Sequence, residues 1–482
     1  MEFNSVTLIA ALPEYIALFV ILLLITFAAF FNDNQSFLKI SRILSLITYF
    51  VIFVVLWSLP SEKLEIFNGY FILDSFRIYM KSLVILGAFF CSWLLSEGWG
   101  DEIDKIEFHT LIMFSVFGML LMISSNDLIS LYMSIEMQSL PLYVIAAMRT
   151  TSLKSSEAGL KYFLLGALSS GLLLYGCSLI YGFSGSTNFN IISNYVSSNN
   201  SIGIIVGMVF ILSGVAFKIS AAPFHMWTPD VFEGAPTQVT AIFAIIPKVA
   251  SITLILVLTH LIFFKMYKEW LQIIMVLSIA SMIIGITGAI MQQNIKRMLA
   301  YSSISHIGYA LTGVLAGTSS GMTSVIIYMT IYVFMSAGAF SIIMSLRKDG
   351  ALIEKISDFS GLSLTHPLLA SSMMVIMFSM AGIPPLAGFF AKWYVFSAVI
   401  NSGYVILAVV GVLSSVIGAF YYLRIIKLMF FDESDVPLDA GYNNNNRFIT
   451  IISLLFIILF FLIIGPLHQL VVDFVNNILL VN

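Results

Sequence analysis

Charge is what this 482-residue chain has least of: Asp, Glu, Lys and Arg together make up 10% of it. A soluble domain carries about 25%. With 60% hydrophobic residues, the chain is read as an integral membrane protein. A net charge of −3 says little, because the charges are spread thinly between loops and a few buried sites, and no nucleic-acid partner is expected. Cysteine is also scarce. Cys91 and Cys177 stand alone in apolar segments, which excludes a disulfide framework or a thiolate metal site. No histidine pair has the register for haem, no cysteine cluster could hold iron–sulfur, and no glycine-rich loop could cradle phosphate. Redox chemistry within this chain is therefore not expected. The N-terminus lacks both a basic run and a cleavage-site pattern, so it is expected to lead into a retained helix.

What is present is apolar sequence in spans. Fourteen segments are long enough to cross a bilayer: 14–31, 40–59, 71–95, 109–125, 128–148, 159–183, 202–227, 235–264, 270–293, 299–316, 321–346, 367–400, 403–431 and 447–475. The links are short, and the longest polar one is 432–447, with its asparagine run. Thirteen lysines and arginines fall in loops on one face and five on the other, with Arg77 and Lys81 counted among the five. That bias puts both termini outside. Lys161, Lys218, Lys248 and Lys392 belong to neither surface.

Two of the fourteen segments are interrupted. Segment seven runs through KISAAPFHMW and segment twelve through MAGIPPLAGFFAKW. Proline removes a helical hydrogen bond, and at membrane depth the freed carbonyls must face protein or a wet cavity. The expected fold is all-α, with about fourteen membrane helices in four parts: an N-terminal trio (1–107), a five-helix unit (108–266), a second such unit (267–431), and a loop with a last helix (432–482). Five is odd, so the second unit enters from the opposite side, as an inverted repeat. The unit starts near 109 and 270 lie 161 residues apart and Lys218 and Lys392 lie 174 apart, so these two lysines are expected to be equivalent.

A lysine at the bilayer centre costs roughly 2.5–3.5 kcal/mol on insertion scales, which makes each one a candidate for function. Glu136 lies about nine residues into its segment, roughly 13 Å deep, and Lys218 is its natural partner. The two are expected within salt-bridge range, about 4 Å, or through one water. The bland alternative is a static pair joining two helices. Lys248 and Lys392 have no carboxylate partner in the apolar sequence and suit proton exchange; for Lys392 the competing reading is snorkelling to a headgroup. His225 and His306, beside a break and a helix start, are candidate relays. Lys161 forms an i, i+4 pair with Glu157 and is a further candidate if it reaches inward toward Lys218. Asp74 and Asp127 read as helix-start residues.

The runs AFKISAAPFHMWTPDVFEGAP, PTQVTAIFAIIPKVA, KRMLAYSSISHIGY and AGIPPLAGFFAKW resemble the antiporter-like, proton-conducting subunits of respiratory complex I. NDLISLYMSIEMQSLPLYVIAA and SSEAGLKYFLLGALSSG bring the likeness to the subunit N branch, called subunit 2 in mitochondria. The resemblance covers about residues 70–431. The sister subunit M carries a glutamate where Lys392 stands, and subunit L ends in a long lateral helix for which nothing here provides.

The resemblance implies that Glu136 modulates Lys218, that Lys248 is the central relay and that Lys392 leads to the outer exit. It also implies membrane-arm subunits as partners and a bacterial inner membrane, or its mitochondrial counterpart, as the location. This chain would bind no cofactor, with flavin, iron–sulfur clusters and quinone in partner subunits. Lys218, Lys248 and Lys392 are then expected in a row at similar depth, joined by water and His306. The alternatives are a subunit of a multisubunit Na⁺/H⁺ antiporter, which would need a cluster of oxygen ligands, and a structural spacer.

Overall fold

The computed structural model describes residues 5–31, 35–94, 105–198, 201–348, 350–433, 438–440 and 444–479. Part of the asparagine-rich link at 432–447 therefore lies outside the described residues. Helix dominates. The N-terminal trio is α1 (Leu12–Phe31), α2 (Gln35–Ser58) and α3 (Ser75–Leu94), with a small antiparallel hairpin, β1 (Leu64–Ile66) and β2 (Phe71–Leu73), before α3. The first unit follows as α4 (Ile106–Ser124), α5 (Leu128–Ala146), α6 (Leu153–Ser184), the broken pair α7 (Ile202–Ile219) and α8 (Trp227–Gly234), and α9 (Thr237–Val257). The second is α10 (Tyr267–Ile290), α11 (Ile295–Leu315), α12 (Ser319–Ile343), the broken pair α13 (Pro367–Ala381) and α14 (Ala387–Asn401), and α15 (Val405–Phe431). The long α16 (Asn444–Leu479) closes the chain and packs along α12.

All fourteen expected spans correspond to helices, and breaks fall in segments seven and twelve as expected. Twelve helices among the described residues are long and apolar enough to cross a membrane. Polarity takes α11 below that measure and interruption takes α13–α14 below it, and both are where functional residues lie. Local chemistry fixes the helix starts. The Asp127 carboxylate accepts from the backbone N–H of Ile129 and Ser130, and the Asn294 side chain accepts from Lys296 and Arg297. Each satisfies N–H groups that the helix leaves open. Asp74 does the same for the Arg77 N–H. Helix α9 is buried on every side along its whole span; that is the pattern of a central helix, not a lipid-facing one.

The two breaks share one construction. Helix α7 ends at Ser220 and α13 at Gly382, both in the left-handed conformation, and their N–H groups cap the preceding turn. Three residues later come Pro223 and Pro385. The register between the units is therefore 162 residues, from Ser220 to Gly382, close to the spacing of the unit starts. It corrects the expected equivalence of Lys218 and Lys392. In that register Lys218 matches Met380, and Lys392 matches Asp230. Lys218 lies on the half-helix before its break, and Lys392 on the half-helix after its own.

Gly382 has φ 90° and a Cβ built on it would come 3.0 Å from the Lys392 Cδ. A left-handed non-glycine residue costs roughly 1–2 kcal/mol, and the lysine could not retreat without losing its anchors. Gly382→Ala should therefore lower the thermal midpoint of the purified chain in detergent and its level in membranes. An unchanged midpoint would mean that the break tolerates a side chain.

Candidate functional site

The three intramembrane lysines are buried, and each ammonium lies on oxygen. Lys218, in the last turn of α7, donates to Ser139 Oγ at 2.7 Å and to the Tyr143 hydroxyl at 3.1 Å, both on α5. Lys248, within α9, donates to Ser303 Oγ on α11. Lys392, on α14, donates to the carbonyls of Met380 at 3.0 Å and Ala381 at 2.9 Å and to Ser415 Oγ at 2.8 Å. Those two carbonyls are the open C-terminal end of α13, which the break has freed. The negative end of a helix dipole and an ammonium satisfy each other there. At 7% exposure Lys392 does not snorkel.

The serines act as acceptors because their own protons are committed. Ser139 Oγ donates to the Ile135 carbonyl and Ser303 Oγ to the Ala300 carbonyl, which leaves lone pairs for the ammonium. An ammonium has three N–H donors. Lys392 uses three, Lys218 two and Lys248 one among the described residues, so Lys248 has the most capacity left for water.

Of the two arrangements expected for Glu136, direct contact with Lys218 or contact through one water, the direct one is not formed among the described residues. Among those residues Glu136 Oε1 is buried without a hydrogen-bond partner. The lysine reaches instead to Ser139, one turn along the same face of α5. The reason is geometric: residues 136, 139 and 143 make one stripe at spacings of three and four, and the Ser139 and Tyr143 hydroxyls are the oxygens within reach of the Lys218 ammonium. That stripe was legible in the sequence, although Ser139 and Tyr143 were not singled out.

Helix α11 links the other two lysines. Ser303, His306 and Tyr309 follow one another at intervals of three, hence along one face. Ser303 holds Lys248. His306 Nδ1 is 2.6 Å from the Tyr328 hydroxyl, and its Nε2 is 3.1 Å from the Tyr422 hydroxyl, which also meets Ser302 Oγ. The Tyr309 ring lies 5.1 Å from the Lys392 ammonium. Between Lys218 and Lys248 the contacts are aromatic: Phe217 near Lys218, then Trp227, then Phe232 near Lys248, with successive ring centroids 5.5 and 6.5 Å apart.

The remaining candidates lie elsewhere. His225 is in the first break, half-buried, with its ring 6.5 Å from that of Tyr301 and no hydrogen bond at Nδ1 among the described residues; it touches none of the three lysines. Lys161 does not reach inward. It pairs with Glu157 at 2.7 Å and with Asp230 at 2.8 Å, drawn outward by two carboxylates. Arg297 of the second unit joins the same network through Asp230 and Glu233, which ties α6, α8 and α11 together. Arg77 and Lys81, counted as surface charges, are buried at 3% and 0% exposure, and they pair with Asp74 and Glu14.

Residues 125–418 match the family model described as NADH:quinone oxidoreductase/Mrp antiporter, TM. NADH-quinone oxidoreductase subunit N of Rhodospirillum rubrum is 49% identical over 467 residues, 96% of each chain. The subunit N of Parvibaculum lavamentivorans is 47% identical over 466 residues, 95% of each. A chain of respiratory complex I from Thermus thermophilus superposes with a TM-score of 0.82 at 26% identity, covering 95% of this chain and 98% of that one. A chain of the Mrp complex from Dietzia superposes at 0.84, but with 20% identity and 98% coverage of both it speaks for the fold alone.

Removing one member of a direct buried ion pair typically costs about 3–5 kcal/mol. Because Glu136 makes no such contact, Glu136→Gln should leave the thermal midpoint and membrane level almost unchanged, within about 1 kcal/mol. A loss on the ion-pair scale would restore the direct Glu136–Lys218 contact.

Proposed function

The chain belongs to the subunit N family of NADH-quinone oxidoreductases, and from that premise we propose that its proton path runs from Lys218 through Lys248, Ser303 and His306 to Lys392. It is a multi-pass subunit of the bacterial inner membrane that translocates protons within a larger membrane arm. The oxidation of NADH and the reduction of quinone belong, in this reading, to neighbouring subunits with their flavin and iron–sulfur clusters.

One observation carries the proposal: three buried ammonium groups are held by hydroxyl and carbonyl oxygens, with no carboxylate ion pair among the described residues. A carboxylate in direct contact with each lysine would favour exchange within that pair over onward transfer along the row. An uncharged hydroxyl or carbonyl oxygen accepts an N–H from the ammonium and, once the proton has left, from the neutral amine as well. Each lysine can therefore release and regain a proton without changing partner. Glu136 tunes this from one turn along α5, where a carboxylate acts on a nearby ammonium through space without a direct contact. A change in charge or conformation in a neighbouring subunit that shifts Glu136 thereby shifts Lys218. The proton then passes the aromatic stretch of Phe217, Trp227 and Phe232 on water, since rings carry none. From Lys248 it reaches the hydroxyls of Ser303 and Tyr422, the His306 imidazole and finally Lys392.

Lys218→Met should assemble near normally and lose both NADH:quinone activity and proton pumping. Lys218→Arg should rescue poorly, because a guanidinium keeps its charge at any accessible pH. Activity and pumping in membranes, with subunit levels checked by blotting, decide the matter. Full pumping by an assembled Lys218→Met enzyme would remove this lysine from the path and favour a spacer. Tyr422→Phe removes the hydroxyl shared by Ser302 and His306, at about 1 kcal/mol for each hydrogen bond, and should lower pumping in an enzyme that still assembles. Undiminished pumping by Tyr422→Phe would take His306 and Tyr422 off the route.

A further inference from the structure

Four charges buried in the outer half of the N-terminal trio lie apart from the lysine path. Lys81 on α3 donates to Glu14 on α1 at 2.5 Å, with side-chain exposures of 0% and 5%. One turn toward the helix start, Arg77 bonds the Asp74 carboxylate and the Ile123 carbonyl. The inner pair is poorly satisfied for a structural lock. Glu14 Oε2 is buried with no hydrogen-bond partner among the described residues, and beyond Glu14 the Lys81 ammonium faces the Phe71 ring at 4.7 Å. A half-satisfied buried ion pair stabilises less than apolar packing of the same volume.

The outer pair borders a polar cavity. Asp74 and Arg77 form part of the wall of a cavity of about 320 Å³, together with Lys63, Asn126, Asn190 and Asn194. This polar space lies on the face that the charge bias assigns to the outside, and it has room and partners for several waters. Asp74, Arg77 and Lys81 follow at spacings of three and four on one face of α3, so the row leads from the cavity wall to Lys81 and across to Glu14, which itself lines a separate, mostly apolar pocket of about 350 Å³.

We propose that Glu14 and Lys81 form a second proton-exchanging pair, which trades protons with the outer aqueous face through the cavity floored by Asp74 and Arg77. Within the pair the step is one proton moving from the Lys81 ammonium to the Glu14 carboxylate, which leaves a neutral amine and a carboxylic acid. The amine is then reprotonated by a proton that enters the cavity from the outer aqueous phase and is carried on water. Asp74 accepts and passes on that proton, and Arg77, always charged, orients the water between Asp74 and Lys81 without giving up a proton. The net result is one proton taken up from the outer phase and held on Glu14.

The test uses the intact complex in sealed vesicles with the pH set separately on each side. A hydrophobic carbodiimide, which adds to protonated carboxyls, is applied, and the Glu14 peptide is read by mass spectrometry. The expected result is a Glu14 adduct that increases as the pH on the cavity side is lowered and ignores the opposite side. Asp74→Asn, which keeps the helix cap, should slow the adduct several-fold. Lys81→Arg, which keeps the charge but cannot supply the proton, should abolish it. No adduct in the unaltered protein at any pH would overturn the proposal and leave a static pair. An adduct that follows the opposite side, or one indifferent to Asp74→Asn, would overturn it equally. The readout is the state of Glu14 itself, so it stands or falls separately from Lys218, whose variants report on pumping.

Discussion

An ammonium in hydrocarbon and an open helix end in hydrocarbon are each costly, and in this protein one answers the other. The break at Gly382 frees the last carbonyls of α13, and Lys392 fills them. Neither element is tolerable alone: without the lysine the carbonyls are unsatisfied at membrane depth, and without the carbonyls the lysine is a bare charge. The arrangement constrains much of the second unit, since α14 must return close enough to α13 to bring Lys392 back over Gly382. Glycine is needed where the lysine stem passes 3.0 Å from where a Cβ would stand.

The first unit uses the same broken-helix construction and distributes the charges differently. Ser220 takes the place of Gly382, but its lysine precedes the break and binds hydroxyls on α5. The position corresponding to Lys392 is Asp230, which meets Lys161 and Arg297 in a network reaching into the second unit. One unit therefore has a lysine held by its own broken helix, while the other has a lysine held by a neighbour. The second arrangement is easier to disturb from outside, because moving α5 moves the acceptors. That asymmetry suits a path with an input near Glu136 and Lys218 and an anchored site at Lys392.

Much of this was legible in the sequence because bilayer thickness and proline chemistry are local constraints. Span lengths, both breaks and the lysines beside them follow from windows of about twenty residues. What was not legible depends on which helix faces which. Lys81 stands only a few residues from a loop, so counting placed it at the surface; its partner Glu14 is 67 residues earlier on another helix. Opposite charge at similar depth pointed to Glu136 and Lys218, but not to the hydroxyls of Ser139 and Tyr143 that the lysine contacts directly. The equivalence of Lys218 and Lys392 rested on spacing alone, and the turn at each break sets a different register. Ser303, His306 and Tyr309 carried a visible signal, a polar stripe at intervals of three in α11, of which only the histidine drew notice.

The central claim is that protons cross this subunit on buried lysines that are held by oxygens and not locked to carboxylates. Lys248 tests it most directly, since it has the fewest partners and lies between the two broken helices. The measurement is the number of protons pumped per NADH oxidised by the complex reconstituted in sealed vesicles, with Lys248→Met in this subunit and assembly verified. The account predicts a lower ratio or a coupled loss of both activities. An assembled Lys248→Met enzyme with an unchanged ratio and rate would contradict it.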